Sequence, residues 1–142
     1  MEVSFNQVHQ QVLQTIEQQA KSRTIRAANA IKKASNKILA NTPRRSGKVY
    51  RKPHTSSTYR ASAPGEPPAL RTGNLRSSWR PLPIGEMAAG GGKVYTPGIH
   101  TDVPYAPMLE NGTPKMAARP YAEQIKKEAW PEVKQIYEQP YF

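Results

Sequence analysis

The apolar residues of the first forty positions recur at steps of three and four, and this spacing decides the largest element of the chain. The spacing is that of one face of an amphipathic helix. An N-cap at Val3-Ser4 and a stop at Asn41-Thr42-Pro43 are expected. The stripe turns from valine and isoleucine to alanine in its second half, which favours close packing there. Its members are Phe5, Val8, Val12, Ile16, Ala20, Ala27, Ile31, Ala34 and Ile38.

Periodicity is lost between residues 43 and 72, where five prolines and many Ser, Thr and Arg residues accumulate. Residues 49–51 and 58–60 fit short strands on either side of a turn at Pro53-His54. We therefore expect an extended basic arm or a loose hairpin. A disordered linker is the alternative.

Residues 75–82 alternate in polarity and predict a strand that Pro81 and Pro83 terminate. Residues 94–101 predict a second strand, with a kink or bulge at Pro97-Gly98. The glycine-rich residues 85–92 connect the two strands, and the tip of the turn falls at residues 90–92.

The remaining residues predict one short and one long element. Residues 105–110 fit a turn of helix or an edge strand, and residues 120–139 predict a C-terminal helix. Pro120 suits its first turn, whereas Pro131 should kink or split it. The expected fold is a single α+β domain. Its parts are the N-terminal helix (1–42), the arm (43–72), a small antiparallel sheet (73–115) and the C-terminal helix with its tail (116–142).

Composition favours one modest domain with a small core. The chain has 142 residues, of which 37% are hydrophobic. Much apolar surface is then expected to be buried only between copies of the chain. The chain contains no cysteine, which excludes disulfides and thiolate zinc sites. No apolar run approaches the length of a membrane span, and the N-terminus does not resemble a signal peptide, so we expect synthesis and use in the cytoplasm.

The net charge of +11 is concentrated in one part of the chain. Residues 21–80 hold fifteen lysines and arginines against the single acidic residue Glu66, a local net charge of +14. This favours an anionic partner, either nucleic acid or an acidic protein surface. Tyrosines interleave with the cations of residues 44–60, which makes that segment the best nucleic-acid candidate. The candidate assembly or channel contacts are Arg44, Arg45, Lys48, Tyr50, Arg51, Lys52, Tyr59, Arg60, Pro64, Pro67 and Pro68.

Residues for catalysis are scarce. His9, His54 and His100 lie far apart and show no metal-ligand spacing. The glycines before Lys93 lack the spacing of a phosphate-binding loop and fit a hairpin tip better. We therefore expect no catalytic residue, metal, cofactor or small-molecule substrate.

Three short motifs occur in order along the second half of the chain. The first begins at Thr72 and Gly73 and continues through Leu75, Arg76, Ser78 and Trp79. The second is Tyr105-Ala106-Pro107-Met108-Leu109-Glu110-Asn111-Gly112-Thr113. The third is Ala118-Arg119-Pro120-Tyr121-Ala122. In this order they resemble the tail-completion and head–tail joining proteins of long-tailed bacteriophages, the minor tail components.

The resemblance implies a non-enzymatic virion protein. Members form rings, most often six-fold, in the neck at the top of the tail, around the channel through which genomic DNA passes. The implied partners are copies of the chain, the adjacent tail-terminator, head-closure or connector proteins, and the passing DNA. Assembly takes place in the host cytoplasm. A basic nucleic-acid-binding protein that grips phosphate with residues 44–60 remains the alternative function.

The motif residues also predict local structure. Gly73 and Gly112 suit turns with a positive φ. Glu110 is expected to accept hydrogen bonds from turn amides or to pair with Arg119. Three aromatic residues are expected in the core: Trp79, Tyr105 and Tyr121. The proline-rich residues 63–70 are expected to become ordered only on assembly.

Overall fold

The computed structural model describes residues 1, 4–40, 44–82, 87–89 and 92–141. The elements of these residues are named in chain order. They are α1 (Asn6–Ile38), β1 (Val49–Arg51), β2 (Thr58–Arg60), α2 (Asn74–Ser77), β3 (Arg80–Pro81), β4 (Met87–Ala89), β5 (Gly92–Val94), β6 (Ile99–His100), α3 (Ala106–Asn111) and α4 (Ala122–Glu138). The α+β class is confirmed.

Helix α1 contains 33 residues and is therefore about 50 Å long. Phe5 is its N-cap residue, and the Ser4 hydroxyl accepts a hydrogen bond from the Asn6 amide at 3.4 Å. The predicted helix is confirmed, but its N-cap is Phe5 and not Ser4, so the predicted N-cap is wrong. Val3 and the predicted stop at residues 41–43 lie outside the described residues. Its buried residues all belong to the second half, from Arg23 onward.

The core forms where the second half of α1 packs against α4. Small side chains on α1 bring the two helices together, and Ala27, Ala28, Ala30 and Ala34 are all buried. The predicted close packing of the alanine stripe is confirmed. The larger core cluster consists of Ala34, Ile38, Leu39, Leu75, Ala106, Tyr121, Ile125 and Ala129.

The described strands form three antiparallel pairs of two strands each. Strands β1 and β2 pair with Tyr50 opposite Tyr59, so the predicted hairpin is confirmed. Strands β3 and β6 pair with Arg80 opposite His100, and β4 pairs with β5. The predicted turn tip falls largely on residues 90–91, outside the described residues.

The strand predicted over residues 75–82 is wrong for its first half. Gly73 adopts a φ of 81°, and the Ser77 amide donates to the Gly73 carbonyl at 2.9 Å, which starts helix α2. Burial of Leu75 in the core favours this turn of helix over an extended chain. The predicted second strand is also divided, because Pro97-Gly98 separates β5 from β6.

The last two helices settle two open predictions. Residues 106–111 are helical, so the helix alternative for residues 105–110 is confirmed as α3. Helix α4 continues through Pro131 as one element and is not split. Pro131 lies at an exposed position. Pro120 precedes the helix and does not lie in its first turn.

The proline-rich residues 63–70 pack on the rest of the subunit. Pro67 and Pro68 are buried, and the Gly65 amide donates to the Ala118 carbonyl at 3.1 Å. The Glu66 carboxylate accepts the amides of Ala63 and Ser46 at 2.8 and 3.0 Å. The expectation that this arm becomes ordered only on assembly is therefore wrong.

Candidate assembly surfaces and cationic hairpin

The three sequence motifs meet around helix α3. The Asn74 side-chain amide of the first motif donates to the Tyr105 hydroxyl of the second at 3.3 Å. The Arg119 amide of the third donates to the Leu109 carbonyl of the second at 2.7 Å. Residues separated by more than forty positions therefore form one structural unit.

Glu110 connects α3 to the start of α4. Its carboxylate accepts the backbone amides of Tyr121 and Ala122 at 2.8 and 3.1 Å. The prediction that Glu110 accepts turn amides is thus confirmed, while the Arg119 guanidinium donates to the Ala117 carbonyl at 3.2 Å. The carboxylate supplies both an acceptor and a negative charge to a helix N-terminus.

Tyr121 returns a hydrogen bond to α3. Its buried hydroxyl donates to the Ala106 carbonyl at 3.0 Å. Burial, helped by the negative charge of Glu110, raises the pKa of Tyr121 to about 12. Trp79 packs edge-to-face on the same ring at 6.0 Å between centroids. The predicted core positions of Trp79 and Tyr121 are confirmed.

Gly112 ends α3 in a conformation that requires glycine. Its φ is +79°, and a Cβ atom there would lie 2.9 Å from the Ala118 nitrogen. The left-handed region is unfavourable for other residues, and the close backbone adds a steric conflict. The positive φ predicted for Gly73 and Gly112 is confirmed.

The other motif residues have structural contacts. Leu75 and Ala106 are buried. The Thr72 hydroxyl accepts the Asn74 amide, and Arg76 donates to the Asn36 carbonyl of α1 at 3.0 Å. Further contacts join Ser78 to Thr101, and Thr113 to Met116. Pro120 is half-buried.

A groove of about 660 Å³ opens where the first two motifs meet. Tyr105 is 39% exposed at this groove, so its predicted place in the core is wrong. Met108 is 54% exposed there. No local pattern in the sequence indicates the groove, because its walls come from segments far apart in the chain. Its apolar lining includes Leu39, Leu70, Leu75, Tyr105, Met108 and Leu109.

A second apolar surface covers the first half of α1. All residues from 4 to 16 are exposed. Contact with the rest of the described chain begins near Glu17, which accepts from Lys93 at 3.1 Å and from the Tyr95 hydroxyl at 3.0 Å. Hydrogen bonds from Lys93, Lys21 and Tyr95 lower the pKa of Glu17 to about 2. The exposed apolar residues are Phe5, Val8, Val12, Leu13 and Ile16.

Strands β1 and β2 form an exposed basic ribbon, called here the cationic hairpin (residues 44–60). Apart from their pairing with each other, neither strand packs extensively on another described helix or strand. Tyr50 and Tyr59 stack with their ring centroids 5.9 Å apart, and the Arg71 guanidinium lies 5.7 Å from the Tyr59 ring. Lys52 is half-buried. Four of the other predicted cations are exposed: Arg44, Lys48, Arg51 and Arg60.

Arg45 is not available as the predicted assembly contact. It is only 3% exposed, and its guanidinium donates to the Ile38 carbonyl at 2.6 Å and the Pro68 carbonyl at 3.2 Å. Burial lowers the pKa of Arg45 from its ordinary value. The burial of Pro67 and Pro68 also removes them from the surface, whereas Pro64 is exposed.

Arg23 is a buried residue whose role the sequence pattern did not predict. It donates to the carbonyls of Tyr137 and Pro140 at 3.1 and 2.7 Å, and its guanidinium lies 3.9 Å from the Tyr141 ring. Its position on the alanine face of α1 is the only sequence signal. The contacts hold the end of α4 against α1.

Comparisons with known proteins found no matching family model, curated protein or solved structure. Among the described residues, no group of three or more His, Cys, Asp or Glu side chains is placed to hold a metal ion. None of the described helices is long and apolar enough to cross a bilayer.

Proposed function

We propose that this chain is a structural protein of a phage neck, which forms a ring at the top of the tail and joins the tail to the head. The three ordered motifs support the phage assignment. One observation supports the ring: the subunit exposes two unlike apolar surfaces at opposite ends of helix α1. These are the first half of α1 and the groove beside Leu39.

The two surfaces belong to an intermolecular contact. Val12 and Leu39 are 27 residues apart along α1 and its C-cap, a separation of about 40 Å. The first half of α1 therefore does not reach the groove of its own subunit while the helix is intact. A second copy brings the same helix into the groove without any change of fold.

The two surfaces are chemically complementary. Residues 4–16 contain no Asp, Glu, Lys or Arg, so their burial in an apolar groove leaves no unpaired charge behind. Glutamines lie beside the apolar stripe, and Arg71 stands exposed at the groove. An apolar centre with a polar rim is the usual anatomy of a protein interface.

A contact between two different surfaces repeats head to tail. Such a heterologous interface closes into a ring when its rotation divides a full turn, and otherwise forms a filament. The resemblance favours six subunits. The proposed partners of the finished ring are the neighbouring neck proteins, and the role within it is structural.

Gold-labelled antibodies against this chain, applied to virions of the phage that encodes it, test the location. We expect label at the head–tail junction, and separate heads and tails when the gene is deleted. Label on the capsid shell or at the distal tail tip would overturn the neck assignment.

A further inference from the structure

The cationic hairpin carries charge that the rest of the subunit does not neutralise. Residues 44–60 include six lysines and arginines and no Asp or Glu. Arg45 is buried and donates hydrogen bonds within the subunit. The other five make no ion pair with the carboxylates of the described residues. The nearby Glu66 carboxylate is held by Ser46 and Ala63.

The register places cations on both faces of the ribbon. Val49 lies opposite Arg60 and Arg51 opposite Thr58, so the two arginines share one face. Lys48 and Lys52 are two positions from Tyr50 and belong to the other face. A flat acidic protein surface would contact only one of these faces.

The exposed arginines of the two strands, Arg51 and Arg60, are held along the ribbon by hydrogen bonds to its backbone. The Arg51 Nε donates to the Thr55 carbonyl at 3.1 Å, and the Arg60 Nη1 donates to the Gly47 carbonyl at 3.0 Å. Both side chains remain exposed. The segment contains no Asn or Gln, the residues that pair with adenine edges. The hairpin therefore lacks the side chains that read adenine, and its lysines and arginines suit contact with phosphates.

The tyrosines are not splayed to receive unstacked bases. Tyr50 and Tyr59 stack on each other at an interplanar angle of 29°, and Arg71 lies beside Tyr59. Single-strand binders present free aromatic faces on which bases stack. The pairing of the two rings therefore favours a duplex ligand.

We propose that the cationic hairpin binds the backbone of double-stranded DNA without sequence preference. A two-stranded ribbon fits the major groove, which is about 12 Å wide. There the phosphates of the two groove walls lie on both sides of the ribbon, opposite its two cationic faces. Lysine is depleted in protein–protein interfaces, so Lys48 and Lys52 also favour nucleic acid. The inference goes beyond ring formation and does not depend on the neck assignment.

The test is fluorescence anisotropy of the full-length protein with a labelled random-sequence 30-base-pair duplex over a series of salt concentrations. Contact with four or five phosphates gives a slope of log affinity against log salt of about −4 or steeper. The variant with Lys48, Arg51, Lys52 and Arg60 all changed to glutamine should bind at least about tenfold more weakly, with a slope that is smaller by about 3 to 4.

The matched control removes the same charge elsewhere. Lys115, Lys126, Lys127 and Lys134 are exposed outside the hairpin, and their fourfold change to glutamine should leave most of the binding intact. Thermal melting of both variants verifies that each is folded. Equal losses in the two variants, or an unchanged slope in the hairpin variant, would overturn the proposal. So would binding of single-stranded DNA or poly-glutamate as tight as that of the duplex. A ring that still assembles but fails this test refutes only the hairpin proposal.

Discussion

The Glu110 carboxylate accepts the Tyr121 backbone amide at 2.8 Å, and the Tyr121 hydroxyl donates back to α3 at the Ala106 carbonyl. Two hydrogen bonds therefore join α3 to the start of α4, one accepted by Glu110 and one donated by the Tyr121 hydroxyl. This reciprocal contact lies where the second and third sequence motifs meet. It assigns a structural role to the Glu of one motif and the Tyr of the other.

Replacement of Glu110 by alanine should destabilise the fold by about 1–2 kcal/mol, because two amides at the start of α4 lose their acceptor. Glu110→Gln keeps an oxygen acceptor and should cost less. Urea denaturation measures both. Glu123→Ala is the matched control, because Glu123 lies in the first turn of α4 and pairs at the surface with Lys126. Equal losses for Glu110→Ala and Glu123→Ala would contradict the capping role.

The buried Arg45 should be far more important for stability than its neighbour Arg44. Arg45→Met removes the donors that satisfy the Ile38 and Pro68 carbonyls and should cost about 2–4 kcal/mol. Arg44 is exposed, so Arg44→Met should change the free energy of unfolding by no more than about 0.5 kcal/mol. Chemical denaturation of the two variants checks this contrast, and similar values for both would show that Arg45 is not buried as described.

Glu66 should make the free energy of unfolding depend on pH. A hydrogen bond from the Ser46 hydroxyl, followed by the Ala63 and Ser46 amides, lowers the pKa of Glu66 to about 2, from an ordinary value of 4.5. A lowered folded-state pKa contributes stability above pH 4.5, and this contribution is lost as the pH falls towards 2. Glu66→Gln should therefore be less stable than wild type at pH 7 and lose less stability between pH 4.5 and 2.5.

Denaturation midpoints of wild type and Glu66→Gln, measured across this pH range, test this prediction. Glu123→Gln again serves as the control, because it removes an exposed carboxylate outside the arm. Parallel curves for wild type and Glu66→Gln would contradict the assigned role of Glu66.

Local patterns in the sequence predicted the elements that local interactions determine. The three-and-four spacing predicted α1, and the strand residues on either side of Pro53-His54 predicted the cationic hairpin. The alternation of Leu75, Ser77 and Trp79 predicted a strand, but the positive φ of Gly73 and the burial of Leu75 produce a helical turn instead. Tertiary packing outweighed the local pattern there.

Three features of the candidate surfaces could not be predicted from local patterns in the sequence. The burial of Arg45 depends on carbonyls at Ile38 and Pro68, and the positive charge of its segment gave no sign that this one cation lies inside. The groove combines the end of α1 with residues near positions 70 and 108, so no single stretch of sequence indicates it. The exposure of the first half of α1 likewise follows from where α4 ends on α1.

The head-to-tail contact is tested most directly by mixing two defective subunits. Leu13→Asp should abolish the helix surface, and Met108→Asp should abolish the groove. Both positions are about half exposed, so each subunit should remain folded. Val49→Asp is the control, because Val49 and Leu13 are both 51% exposed, and it should still form rings.

Native mass spectrometry of the mixture gives the decisive result. Each defective chain keeps the surface that the other has lost, since Leu13→Asp retains a groove and Met108→Asp retains a helix. The account predicts that neither variant forms rings alone and that the mixture forms a one-to-one heterodimer. Rings from either variant alone, or a mixture that stays monomeric, would contradict it.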